Sequence, residues 1–377
     1  MFIFLKNKPQ QIKMLLQKAN QFYSAKKFAK AIKLYQKILK LDSKNFAAKA
    51  NLATSYFELQ KYDLSIPFFQ EIISLDSNNP WWYNYLSQAA QKNNDYNLSL
   101  DAAWKAVICG QEENEHHLNL AYTIYEIADN LGRETTDSLL KKWYQKFPTN
   151  AIAKQCYNSF FYDKNFTRSE PKYVEELFDV FASDFDNILA ELQYDSPQLI
   201  AQNLYEFYSR KNHQNLQILD VGCGSGLCGQ AIKKYIKNCQ ITGVDISQKM
   251  LDKASEKKVY YRLLKEDITD CFSSVKCVFD VIVSSDVFTY FGSLDSLFKN
   301  IADSILSNGI FSFTYSLNNE NENDFFLMPS SRFVHSPKYV EKLLQKNKFA
   351  ILKNEEKILR KEGEKDIKGR VVLAIKA

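Results

Sequence analysis

Glycine, proline, histidine and arginine are all scarce in this chain of 377 residues, at 11, 8, 4 and 7. So little Gly and Pro leaves no room for a collagen-like tract or a long flexible linker. With 45% apolar and 25% charged residues, the composition is that of packed cores rather than disorder. Low-complexity tracts are absent. The seven cysteines (Cys109, Cys156, Cys223, Cys228, Cys239, Cys271, Cys277) form no Cys-x-x-Cys pair and sit in apolar stretches. They are read as reduced core thiols of a cytoplasmic protein, not as a disulfide frame or zinc site. His116, His117, His213 and His335 fall in no metal-ligand spacing, so no metal is assigned. Long apolar runs are missing as well: Met1-Phe2-Ile3-Phe4-Leu5 is shorter than a signal-peptide core, and no other stretch suggests a membrane span.

What is present begins with charge. Residues 1–49 carry a net charge of +11, residues 50–165 carry −5 and residues 166–377 carry −1. The overall excess of +5 is therefore confined to the first helices, as a solvated basic face or one that attracts an acidic partner, nucleic acid or a lipid surface. The length calls for more than one core.

A period of 34 residues runs through the first part of the chain. Ala19, Ala53 and Ser87 align, as do Phe28, Tyr62 and Tyr96, and Ala31, Ser65 and Ser99. Phe22 matches Tyr56, Tyr35 matches Phe69, Ile38 matches Ile72 and Ala106, and Leu41 matches Leu75. Small residues recur where helices must approach closely and aromatics where they fill the wedge between them. Units fall near 12–45, 46–79 and 80–113. A looser fourth, 114–148, needs about three inserted residues to bring Leu140, Trp143 and Pro148 into phase, and a helix near 150–162 would cap the stack. The pattern resembles the tetratricopeptide repeat, which implies an N-terminal all-α solenoid over 10–165 and a groove for a protein or peptide partner. Asn20 and Asn51 match positions with which many such repeats grip a terminal carboxylate, but Leu16, Trp81 and Tyr85 stand where cations are required. An aromatic-lined groove is expected instead. A domain that only packs on the rest of the chain, or dimerises, is the competing reading.

From residue 170 the pattern changes to strand-length apolar runs alternating with helices, the mark of a parallel α/β sheet. Strands are expected at 216–221, 240–245, 259–263, 279–284, 310–315, 350–358 and 369–375, the last two as an antiparallel edge hairpin. The first runs through Asp220 into Gly222-Cys223-Gly224-Ser225-Gly226 and then a helix. Glycine there lets a ligand approach the backbone at the strand's carboxyl end. Leu227 stands where a dinucleotide fold requires a third glycine, and Gln230 follows Gly229 where a P-loop requires Lys. Asp245, 23 residues beyond Gly222, closes the second strand, where its carboxylate can accept from a ribose diol.

These motifs resemble those of class I S-adenosylmethionine-dependent methyltransferases, and the resemblance implies a Rossmann-like seven-stranded domain over 170–377 that binds S-adenosylmethionine. It assigns cofactor contacts to Asp220, Gly222, Cys223, Gly224, Gly226, Asp245, Ile246, Met250, Asp267, Ile268 and Ser285. The 279–292 segment resembles the fourth motif but lacks Asn/Asp-Pro-Pro-Tyr/Phe, which weighs against nucleic acid as acceptor. With the helix 173–186, the Arg332–Val340 segment and the Arg360–Gly369 hairpin, the chain is similar to a bacterial group of tetratricopeptide-repeat-containing methyltransferases, in which the early helix lids the cofactor. Asp286, Tyr290 and His335 are the candidate catalytic residues, His335 as general base. The methyl acceptor is not indicated. The competing reading is a repeat scaffold carrying an inactive cofactor-binding domain; an oxidoreductase fails at Leu227.

Overall fold

The computed structural model describes residues 8–161, 166–209, 215–275, 278–318, 323–362 and 365–377. Residues 1–5, His213, Cys277 and Gly363 of the sequence reading lie outside them. The chain forms two compact units, Met1–Leu139 and Leu140–Ala377.

The first unit is all-α. Its helices are α1 (Lys8–Ser24), α2 (Phe28–Leu41), α3 (Phe46–Glu58), α4 (Tyr62–Leu75), α5 (Pro80–Lys92), α6 (Tyr96–Cys109) and α7 (Asn114–Leu131), followed by the start of α8 (Arg133–Lys146). From α1 to α7 each helix packs on the next, and α1, α3, α5 and α7 also touch in that order. The period appears directly in the backbone: α3, α5 and α7 start 34 residues apart, and so do α2, α4 and α6. Lys26, Gln60 and Asn94, at the same spacing, take left-handed backbone in the turn inside each pair. Asn45 and Asn79 cap α3 and α5 by accepting from Ala48 N and Trp81 N. Ala19, Ala53 and Ser87, together with Ala31, Ser65 and Ser99, are all fully buried at the helix contacts. The register then loosens because α7 runs 18 residues where α3 and α5 run 13.

In this unit Asn51 Nδ2 donates to Asn20 Oδ1 at 3.1 Å, and Tyr35 OH donates to the same oxygen at 2.8 Å. Tyr85 stacks on Phe69 at 5.4 Å inside the wedge, which takes it out of the expected groove lining, whereas Trp81 remains exposed. Cys109 is exposed as well, unlike the core thiol expected there; the other described cysteines are buried.

The second unit takes in residues well ahead of the 165–170 boundary expected from the sequence. The reason is visible at α9 (Ala151–Phe160), where buried Gln155 donates to Ser169 Oγ at 3.0 Å and to Ser331 O at 3.2 Å. Then come α10 (Pro171–Phe181), α11 (Phe185–Glu191), α12 (Ser196–Tyr208), β1 (Leu216–Val221), α13 (Leu227–Tyr235), β2 (Cys239–Asp245), α14 (Gln248–Glu256) and β3 (Arg262–Lys265). The chain continues through α15 (Cys271–Val275), β4 (Phe279–Ser284), a 3-10 turn at Phe288–Tyr290, α16 (Asp295–Asp303), β5 (Ile305–Ser316), β6 (Phe325–Leu327), β7 (Phe333–His335), α17 (Pro337–Lys346), β8 (Phe349–Glu362) and β9 (Lys365–Lys376).

The sheet order is β3-β2-β1-β4-β5-β9-β8, with β9 antiparallel to β5 and β8 antiparallel to β9. β1 lies in register with β2 and β4 through Asp220↔Gly243 and Ile218↔Val281, its Leu216 and Ile218 side chains buried against α12 and α13. This is a Rossmann-like seven-stranded mixed sheet. β3 starts three residues later than expected because Tyr260 leaves the strand path to pack on α13. The short β6–β7 hairpin carries no signal in the sequence. Among the described residues, no helix is long and apolar enough to cross a membrane.

Candidate functional site

Strand order reverses on either side of β1, so β1 and β4 open a crevice at their carboxyl ends, the place where open α/β sheets hold ligands. A cavity of about 1100 Å³, counting its open mouth, occupies that end. Its floor is the glycine loop. Gly222, Gly224 and Gly226 all have positive φ, at 71°, 52° and 90°. A Cβ on Gly222 would meet Val287 Cγ2 at 2.4 Å, so glycine is required there for space as well as for conformation.

Asp245 ends β2 in the cavity wall. Its two carboxylate oxygens accept from Gly224 N at 2.8 Å and Ser247 N at 2.9 Å, tying the loop to the strand. Burial pushes its pKa up to about 6, against the pull of these backbone N–H groups. Ile246 and Ile268 line the same region. Asp267 lies there too, ion-paired to Arg168 and accepting from Thr269 N.

The roof comes from α10 and α11, which contribute Phe178, Phe185 and Leu189. Polar links fix this roof to the strand ends: Glu175 to Lys265 at 2.8 Å, Ser247 Oγ to Asp179 at 2.6 Å, and Asp186 to both Ser225 and Lys257. Of the aromatics in the expected lid helix 173–186, Phe178 and Phe185 face the cavity, whereas Tyr173 is buried elsewhere and Phe181 is exposed.

Past the glycine loop the wall turns polar. Ser285 Oγ and Tyr194 OH lie 2.8 Å apart. Asp286 follows β4 with a φ of 58°, unusual for a residue with a side chain. Its Oδ2 accepts from Arg360 Nη1 at 2.8 Å and lies 3.8 Å from Arg332 Nη1, while its buried Oδ1 has no hydrogen-bond partner. Tyr290, one 3-10 turn further on, lines the same end, and burial raises its pKa.

The cavity thus gathers Gly222, Cys223, Gly224, Asp245, Ile246, Asp267, Ile268, Ser285, Asp286 and Tyr290 from the sequence reading. It does not gather four others. Asp220, Gly226 and Met250 lie behind the wall; Asp220 and Met250 are fully buried, and a Cβ on Gly226 would meet Tyr260, not the cavity. His335 is also fully buried outside it. Its Nε2 lies 2.8 Å from Phe291 O and 3.1 Å from Gly292 O, both acceptors only, so Nε2 carries the proton and braces that turn. Burial pushes its pKa down to about 4. This placement corrects the general-base expectation: the ring faces backbone, not the crevice.

Arg168, Tyr194, Arg332 and Arg360 line the cavity and were not singled out as site residues. They come from segments far from the glycine loop, and no local spacing ties them to it.

Residues 219–311 match the family of methyltransferase domains. The malonyl-[acyl-carrier protein] O-methyltransferase of Priestia megaterium is 33% identical over 106 residues, covering 28% of this chain and 36% of that protein. The release factor glutamine methyltransferase of Streptococcus pneumoniae is 31% identical over 138 residues, covering 32% and 48%. The chain spans less than half the length of these curated relatives. Among solved structures, an S-adenosylmethionine-dependent methyltransferase from Clostridium acetobutylicum is 19% identical, with 53% of this chain and 99% of that chain covered and a TM-score of 0.41.

Proposed function

We propose that the second unit transfers a methyl group from S-adenosylmethionine to an acceptor bound at the Asp286–Tyr290 end of the cavity. The observation that carries this reading is the pairing of Asp245 with the glycine loop in one wall, facing a roofed crevice that continues to Asp286. The residues present fit the cofactor. Asp245 keeps lone pairs for a ribose diol, Ile246 and Ile268 offer apolar walls to an adenine, and the loop presents the bare backbone of Gly222 and Gly224, both at positive φ, to the cavity. When bound, the cofactor would supply an electrophilic sulfonium methyl for transfer to the acceptor.

The chain's part is positioning. Phe178, Phe185 and Leu189 exclude water from the crevice, and the unpartnered Asp286 Oδ1 accepts a hydrogen bond from the acceptor and so aims its nucleophile. Neither role requires a metal or a covalent intermediate.

The helical unit is read as a tetratricopeptide-repeat solenoid that holds a protein or peptide partner or substrate. Helix starts, left-handed turns and buried small residues recurring every 34 residues support that reading.

Calorimetric titration of the full chain with S-adenosylmethionine tests the first reading, with saturable binding expected and absence of binding overturning it. Incubating a lysate with deuterated-methyl cofactor, followed by mass spectrometry, then identifies the acceptor.

A further inference from the structure

Asp220 stands in the glycine-loop motif, yet it does not reach the cavity; a tyrosine from the next crossover reaches it instead. Tyr260 OH donates to Asp220 Oδ2 at 2.7 Å and accepts from Gly229 N at 3.3 Å, at the first turn of α13. The ring lies where three glycines leave space. A Cβ on Gly229 would sit 2.5 Å from Tyr260 Cζ and OH, one on Gly226 2.9 Å from Cε2, and one on Gly243 2.9 Å from Cε1. Gly229 and Gly243 have ordinary negative φ, so space rather than backbone conformation is what glycine supplies there. One ring therefore spans the loop's last glycine, the start of α13 and β2, and its hydroxyl ends on a carboxylate with no exposure to solvent. The remaining oxygen, Asp220 Oδ1, has no partner.

We infer that Asp220 and Tyr260 are a coupled pair of positioning residues, which hold the glycine loop in its ligand-ready shape from behind and touch neither cofactor nor acceptor. The inference rests on the reading of the cavity as an S-adenosylmethionine site and adds that the motif's carboxylate acts through Tyr260. A carboxylate that bound the cofactor would act by its charge. One that anchors Tyr260 acts as a hydrogen-bond acceptor, a task that an amide oxygen also performs.

The test uses the full chain, with S-adenosylmethionine titrated calorimetrically and exchange of the 222–229 backbone amides followed without ligand. Tyr260→Phe, which removes only the hydroxyl, is expected to weaken binding roughly 10-fold and speed loop exchange, as loss of one buried hydrogen bond implies. Asp220→Ala should match it, the double variant should be no worse than Asp220→Ala within about twofold, and Asp220→Asn should bind within about threefold of the unaltered chain. Gly229→Ala, which pushes the ring away without changing either group, should reproduce the loss and stands in if Tyr260→Phe does not fold. Unchanged binding in Tyr260→Phe, losses that multiply in the double variant, or a loss in Asp220→Asn as large as in Asp220→Ala would overturn the inference. If the unaltered chain fails to bind the cofactor while loop exchange still responds to Tyr260→Phe, the proposed function falls and the coupling stands.

Discussion

In the helical unit Lys26, Gln60 and Asn94 hold left-handed backbone at 34-residue intervals, and each does the same job of turning the chain between paired helices. In the α/β unit seven of the described residues other than glycine take the same conformation, at no fixed spacing, and of these Asp286, at the carboxyl end of β4, lines the crevice with its carboxylate. The same strained backbone recurs at a fixed period for architecture in one region, while in the other it is scattered and at Asp286 alone borders the cavity. Buried ionisable groups divide in a parallel way. In the helical unit they include His116 and His117, which burial keeps neutral; in the α/β unit they include Asp220 and Asp245, carboxylates that burial pushes toward pH 7 and 6. Where an arrangement repeats, its burial serves packing; where it occurs once beside a cavity, its cost points to a site.

The sharpest way to break this contrast is at Asp286. Asp286→Ala should cut turnover on the labelled acceptor by roughly 100-fold or more, while calorimetry finds S-adenosylmethionine affinity within about threefold. Equal losses in both would move Asp286 to the cofactor side of the cavity. Next in size, Asp245→Ala removes a charged acceptor for paired hydroxyls and should cost about 2–3 kcal/mol of cofactor affinity. Unchanged affinity would remove Asp245 from the site.

Much of this was legible because it is local or periodic. Buried Ala19, Ala53 and Ser87 announce themselves by recurrence, and β1, β4 and the glycine loop are contiguous in the sequence, as apolar runs closed by special residues. The misplaced parts are those decided by partners distant in sequence. β3 starts late because Tyr260 is drawn to Asp220, which lies 40 residues before it. Arg360 gains its role only by folding beside Asp286, 74 residues earlier in the chain. His335 looked catalytic as a lone imidazole in a long connection, but the carbonyls that claim its proton, at Phe291 and Gly292, lie more than 40 residues away.

The contrast in buried charge predicts opposite responses to pH. His117 is neutral in the fold with its pKa lowered to about 4, so its contribution is present above its ordinary pKa of 6.5 and is lost as pH falls toward 4; His116 shifts the same way, offset in part by Glu115, whose pKa burial raises. Asp220 and Asp245 have raised pKa values, so their contribution is complete below pH 4 and is lost as pH rises through 6 to 7; His335 opposes them. From pH 7 to pH 4.5 the helical unit should therefore lose on the order of 1 kcal/mol or more, while the α/β unit holds or gains stability. Peptide-resolved hydrogen exchange at the two pH values reads each unit separately. Parallel losses in both would refute the division.

The smallest effect is expected at Gln60, where the contrast is tested from its architectural side. Gln60 is exposed, and its backbone closes the turn between α3 and α4 by donating to Phe57 O at 2.8 Å; the next residue, Lys61, donates to Tyr56 O at 2.9 Å. Both bonds use backbone alone and survive loss of the side chain. Left-handed backbone costs an L-residue about 1–2 kcal/mol, whereas glycine adopts it freely but surrenders about 0.5–1 kcal/mol of extra chain entropy on folding. The difference favours glycine, so Gln60→Gly should raise the stability of the helical unit by about 0.5 kcal/mol without changing cofactor affinity or turnover. Asp286→Gly relieves the same backbone strain but takes the carboxylate from the buried Arg360, so it should lower stability and also abolish turnover, because there the side chain is what the strained backbone positions. Chemical denaturation and turnover measured on both variants decide the matter. A fall in stability for Gln60→Gly would mean that the Gln60 side chain, and not the repeated backbone, sets the turn.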